Sequence, residues 1–161
     1  ILGLDGISLP LYLLSMVIVV LSIIYSWNHI PEPGNAKAFL ILILILEVGM
    51  NGTFVAQDLI LFFVFFEVVL LPMYFMIGVW GGEQRQYASI KFFLYTLFGS
   101  AMMIVSFLAL FFVTGGETFS MTGLAQGIAD RVAAGDISST TMVLIFGGMF
   151  LTIIVAWLVF F

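Results

Sequence analysis

The chain has 161 residues, 63% of them hydrophobic and only 8% charged, with a mean hydropathy of +1.29 and a formal net charge of −5. Soluble domains carry about 45–50% apolar and about 25% charged residues, so this chain cannot cover a water-facing surface and reads as integral to a membrane. Four scattered Lys and Arg exclude a nucleic-acid footprint. The absence of cysteine excludes disulfides, Cys-ligated iron–sulfur clusters and Cys-based zinc sites.

The single histidine, His29, has no second histidine to share a metal or haem and reads as a loop residue. The segment is therefore expected to carry no redox cofactor of its own. It opens ILGLDGISLP, without Met and without a basic region ahead of the first apolar run, so the opening does not resemble a signal peptide. It stops abruptly in LVFF, and the expectation is a piece of a longer protein.

In chain order, five apolar runs approach the ~20-residue length of a transmembrane helix. They are 7–27, 38–56, 59–80, 89–113 and 140–161. The expected class is an all-α polytopic membrane protein. Asn28-His29-Ile30-Pro31-Glu32-Pro33-Gly34-Asn35 separates the first two runs, because paired prolines and a glycine do not continue a helix. Gly81-Gly82-Glu83-Gln84-Arg85 separates the third and fourth. The polar stretch 114–139 contains Met121–Ile128, a candidate short interfacial helix.

Trp27, Trp80 and Tyr87 stand at span ends, where aromatic belts form, whereas Trp157 fits that pattern less well. With alternating spans, loops 28–37 and 81–88 share one side. Lys37, Arg85 and Lys91 cluster there against Arg131 opposite, which predicts that side to be cytoplasmic or its equivalent.

Glu67 stands near the middle of the third run, in LFFVFFEVVLLPMYF. A carboxyl at the centre of a spanning helix costs about 2.5–3.5 kcal/mol on insertion scales, and such residues usually serve proton or ion movement. Glu47 lies about ten residues before the Gln57-Asp58 turn and Glu67 about ten after it, so a helical hairpin brings both carboxyls to a common depth. Facing each other, they could pass protons directly or through one or two waters.

Desolvation disfavours the charged form of a carboxyl and a nearby ammonium favours it, so a cation that approaches and retreats changes proton affinity. Lys91, shallow in the fourth run, is the candidate cation, with an interfacial anchor as the alternative. Neutral acids that hold helices together are the alternative for the two glutamates. Pro72 frees the carbonyl near Val68 and bends the helix of Glu67, either at a hydrated cavity or as a packing kink. Gly49, Gly52, Gly99 and Ser100 suit close helix contact.

The stretch DLILFFVFFEVVLLPMYFMIGVWGGEQRQYASIKFFLYTLFGS, with LGLDGISLPL and LEVGMNGTF before it, resembles the antiporter-like membrane subunits of respiratory complex I, and among them the M-type subunits. The resemblance covers residues 3–113 and implies helices three to seven of about fourteen. It implies that Glu67 is the essential glutamate of the fifth helix and Glu47 the auxiliary acid of the fourth. It implies a proton-translocating subunit of NADH:quinone oxidoreductase, with NADH, FMN, iron–sulfur clusters and quinone bound by other subunits. The implied partners are other membrane subunits and lipids, and the implied location is a bacterial inner membrane.

A Mrp-type cation/proton antiporter or a membrane-bound hydrogenase is the alternative, because these share the glutamate-bearing hairpin. The final run departs from the family: Ala156 and Leu158 stand where its seventh-helix lysine and proline belong.

Overall fold

A computed structural model describes the backbone of residues 2–30 and 35–160, and the side chains of these as far as residue 150. Residues 31–34, which the sequence assigns to a helix-breaking loop, lie outside the described residues, as do the side chains at 156, 157 and 158. Among the described residues the chain is helical, with two isolated β-bridges and no strand. The helices are α1 (Ser8–Ser26), α2 (Ala36–Val55), α3 (Leu59–Trp80), α4 (Arg85–Val113), α5 (Met121–Ala133) and α6 (Ser139–Phe160). Among the described residues four helices, α1 to α4, are long and apolar enough to cross a membrane, while only residues 139–150 of α6, in the expected fifth span, have described side chains; the chain is a polytopic helical membrane protein.

Local chemistry sets the helix ends. Asn35 caps α2 through its side-chain oxygen, which accepts the Lys37 N–H at 3.0 Å. The Asp58 carboxylate caps α3 by accepting the N–H groups of Ile60 (3.0 Å) and Leu61 (3.2 Å). Such caps satisfy donors that the first helical turn cannot pair internally. Helix α4 begins at Arg85, four residues ahead of the apolar run, because the Gly82 carbonyl accepts the Arg85 N–H and the Gln84 carbonyl the Ala88 N–H. It ends where Gly115 and Gly116 take φ of 106° and 76°, a conformation that other residues rarely adopt. Helix α5 runs five residues beyond the piece expected at Met121–Ile128.

Consecutive spans pack antiparallel. Ser15 meets Asn51 between α1 and α2, and Phe39 meets Trp80 between α2 and α3. Phe62 meets Phe107 and Tyr74 meets Phe93 between α3 and α4. Gly148 of α6 lies against Ser106 of α4. The order α1-α2-α3-α4 therefore puts the 56–58 turn at one end, and the end of α1, the start of α2 and the 81–84 connection at the other.

The turn end is tied on both sides. Gly3 N–H donates to the Val55 carbonyl at 2.9 Å, Leu59 N–H to Phe119 at 3.0 Å, and Met121 N–H to Gln57 at 3.0 Å. Beside it, buried Leu110, Leu124 and Ile145 form a cluster that joins α4, α5 and α6. By contrast α1 keeps large apolar side chains such as Ile18, Leu21 and Ile24 outward, as a lipid-facing or partner-facing helix does.

Candidate functional site

The site is built on the α2–α3 hairpin. Glycines at 49 and 52 let the two backbones approach: a Cβ on Gly49 would meet the Val69 backbone nitrogen at 3.2 Å and the Phe65 carbonyl oxygen at 3.3 Å. A Cβ on Gly52 would overlap the Phe65 ring. This register sets Gly49 level with Glu67 and leaves Glu47 two positions earlier in α2, about 3 Å further from the turn along the axis. The carboxyls share a depth.

They do not share the hairpin's contact face. Phe65 and Val69, which touch α2, lie two residues either side of Glu67, and two residues are about 200° around a helix. Glu47 is offset from Gly49 in the same way and turns to the α1 side, where it lines a groove with Tyr12 and Asn51. Direct proton exchange across the hairpin, the arrangement envisaged if both acids face inward, has Gly49, Phe65 and Val69 between them.

Glu67 is half-buried as a residue, yet its Oε1 is sealed from solvent and has no hydrogen-bond partner among the described residues. Buried polar atoms are paired in the large majority of cases, and an unpaired one costs roughly 1–3 kcal/mol. Five residues on, Pro72 is buried inside α3 and removes the N–H that would bond the Val68 carbonyl. The stretch 67–72 thus holds an acid oxygen with no partner among the described residues and, at Val68, a carbonyl without its usual helical donor.

Helix α4 supplies the other wall. The pairs Tyr74–Phe93 and Phe62–Phe107, with Ser89 against Gly78, fix its register on α3. Extended along the helices, it brings Glu67 level with Ser100 to Met102 and Lys91 level with Met76. Lys91 is therefore about 13 Å along the axis from the depth of Glu67. Ser100 is the most buried side chain there, 1% exposed, and its hydroxyl donates to the Leu97 carbonyl of its own helix at 3.0 Å. Gly99 and Ser100 are small residues at a tight contact.

Trp80 ends α3, where its indole Nε1 is buried without a partner among the described residues and its ring packs edge-on to Phe39 at 5.2 Å. Sequence reading assigned no role to Asn51, although it stands one turn from Glu47 on the same face of a spanning helix, which is the signal that could have marked it. Among the described residues no group of three or more His, Cys, Asp or Glu is arranged to hold a metal ion.

Two family descriptions match the chain. "NADH:quinone oxidoreductase/Mrp antiporter, TM" covers residues 56–160, and "NADH-ubiquinone oxidoreductase chain 4, amino terminus" covers residues 1–51. A Rhodobacter capsulatus protein named NADH-quinone oxidoreductase subunit M is 45% identical over 114 residues, 71% of this chain and 22% of the relative. NAD(P)H-quinone oxidoreductase chain 4 1 of a Picosynechococcus species is 44% identical over 123 residues, 76% of this chain and 22% of the relative. NADH-ubiquinone oxidoreductase chain 4 of Prototheca wickerhamii is 44% identical over 126 residues, 78% of this chain and 24% of the relative. The chain spans about a quarter of the length of these curated relatives. With one model matching residues 56–160, the chain belongs to the NADH:quinone oxidoreductase/Mrp antiporter transmembrane family.

Proposed function

We propose that this chain is part of a proton-translocating membrane subunit of an NADH:quinone oxidoreductase, of the chain 4 or M type. Glu67 is its central proton-binding group. The observation that carries the reading is the sealed Glu67 Oε1, without a hydrogen-bond partner among the described residues, about one and a half turns from Pro72 inside a spanning helix. A carboxyl at such depth accepts or releases a proton only when water or a basic group reaches it, and that conditional contact is what a pump needs.

In this reading Glu47 is an auxiliary proton site at the same depth. Lys91 acts on Glu67 through water rather than by contact, because about nine residues of helix rise separate their levels. Redox chemistry with NADH, FMN, iron–sulfur clusters and quinone belongs to other subunits, and this segment is a non-redox part of the translocating enzyme. Its partners are the neighbouring antiporter-like subunits and membrane lipid. The host is a bacterial inner membrane, with loops 28–37 and 81–88 on the cytoplasmic side.

The test is ΔpH formation by vesicles holding the assembled complex with Glu67→Gln, scored beside the amount of complex present. A second reading, a subunit of a cation/proton antiporter, is favoured by the family description that joins the two groups. Co-purification with flavin- and iron–sulfur-bearing subunits supports the first reading, and co-purification with antiporter subunits alone supports the second.

A further inference from the structure

A groove of about 530 Å³ runs along α1, α2 and the start of α3. It is open along its side; Leu2 and Val55 line the end beside the 56–58 turn, and Glu47 and Leu44 line the other end. The walls are apolar except for Tyr12, Asn51 and Glu47. Those three stand in order of depth. Ser15 opposite Asn51 fixes the α1–α2 register, which brings Tyr12 level with Phe54. The three residues then stand at levels about 5 Å apart along the helices, counted from the 56–58 end, and Val55 to Glu47 is a helix rise of about 12 Å.

Asn51 is held in a defined pose. The Ser15 hydroxyl lies 2.6 Å from Asn51 Oδ1 and 3.0 Å from the Tyr12 carbonyl oxygen, so the Asn51 oxygen is turned to α1. Its NH₂ group, with two donors, makes no hydrogen bond to a described residue and borders the groove. An amide and a carboxyl one turn apart on a spanning helix are costly against hydrocarbon. Water lying between polar side chains at successive levels would satisfy both.

We propose that this groove is a water-filled route for protons between the 56–58 end of the molecule and Glu47, with Asn51 and Tyr12 as positioning residues for its water. The proton-carrying role rests on the translocation reading above, but the wetness of the route is measured separately. A thiol reacts with a methanethiosulfonate only as the thiolate, and each unit of upward pKa shift in an apolar setting lowers that fraction about tenfold. The segment contains no cysteine of its own.

The experiment uses the complete subunit in its assembled complex, in sealed vesicles, with Val55→Cys or Val48→Cys and a charged, membrane-impermeant methanethiosulfonate on one side. Both thiols are expected to react from the 56–58 side, Val55→Cys faster, and each about tenfold slower or less from the other side. Asn51→Leu is expected to suppress labelling of Val48→Cys while sparing Val55→Cys, and Asn51→Ser to restore it.

Inert Val48→Cys, as for a groove filled by lipid chains or by another helix, overturns the route. So does equal labelling of Val48→Cys from the opposite side. If Asn51→Leu prevents assembly, the unmodified background still decides through the sidedness of Val48→Cys. Sided labelling in a complex whose Glu67→Gln variant pumps normally keeps the wet route and removes the pumping role.

Discussion

Gly49 of α2 lies directly against Val69 of α3, close enough that a Cβ on Gly49 would come within 2.6 Å of Val69 Cγ2 and 3.2 Å of the Val69 nitrogen. This contact fixes the register of the hairpin and hence the common depth of Glu47 and Glu67. It also turns the two carboxyls away from the line of contact, because each is two residues from a residue that makes it.

Gly49→Ala is expected to push the hairpin apart, since two of the atoms it meets are backbone and cannot rotate away. Overpacking of this kind costs about 1–3 kcal/mol. The thermal midpoint of the assembled complex should fall, whereas Gly82→Ala, with nothing within 4 Å of the new Cβ, should leave it unchanged. Equal midpoints for both variants would remove Gly49 as the determinant of register.

Asp58 is charged and close to the hairpin, yet its carboxylate is engaged as the cap of α3. Asp58→Ala should loosen the turn by about 1 kcal/mol, the usual worth of an N-cap. Faster hydrogen exchange of the Ile60 and Leu61 amides reports it. Asp58→Asn keeps the acceptor and should keep both the protection and the pumping. Loss of pumping in the Asn variant would make Asp58 a proton carrier.

Pro72→Ala restores an N–H facing the Val68 carbonyl. Assembly should persist and the helix should gain stability, because proline inside a helix costs about 3 kcal/mol. On the proposed reading proton flux should fall in part, because a Val68 carbonyl bonded to the restored N–H at position 72 no longer offers water an acceptor beside Glu67. Unchanged flux at raised stability would make Pro72 a packing kink and nothing more.

The all-helical membrane class was legible from composition alone, because hydropathy is a local property that every window reports. The depth of the acids was legible too, since it needs only residue counts from a tight turn. Their facing was not. It depends on which side of each helix is smooth enough to pack, and that was settled by pairing Gly49 and Gly52 with Phe65 and Val69, a long-range choice that no window of sequence contains.

The Ser15–Asn51 bond was hidden for the same reason, its uncharged partners standing 36 residues apart. Lys91 stood out as a cation but not as one about 13 Å from the depth of Glu67, a separation that follows only from the α3–α4 register. Helix α5 runs past its apolar stretch to Ala133, just ahead of Gly135, which takes a φ of 76°.

The auxiliary site should behave differently from the central one. Glu47→Gln is expected to reduce proton flux less than Glu67→Gln, because Glu47 lines an open groove where water can bypass it, while Glu67 Oε1 is enclosed. Proton flux per electron transferred, compared between the two variants at equal assembly, checks this ordering. The reverse order would make Glu47 the central group.

The most direct measurement is ΔpH formation by vesicles carrying the assembled complex with Glu67→Gln, referred to the quinone reduction rate of the same preparation. Gln keeps the shape and hydrogen-bonding capacity of Glu but does not titrate. The account predicts normal assembly with most of this subunit's proton flux lost, and partial recovery in Glu67→Asp. Full proton flux with Glu67→Gln would contradict it and reduce Glu67 to a buried polar contact between helices.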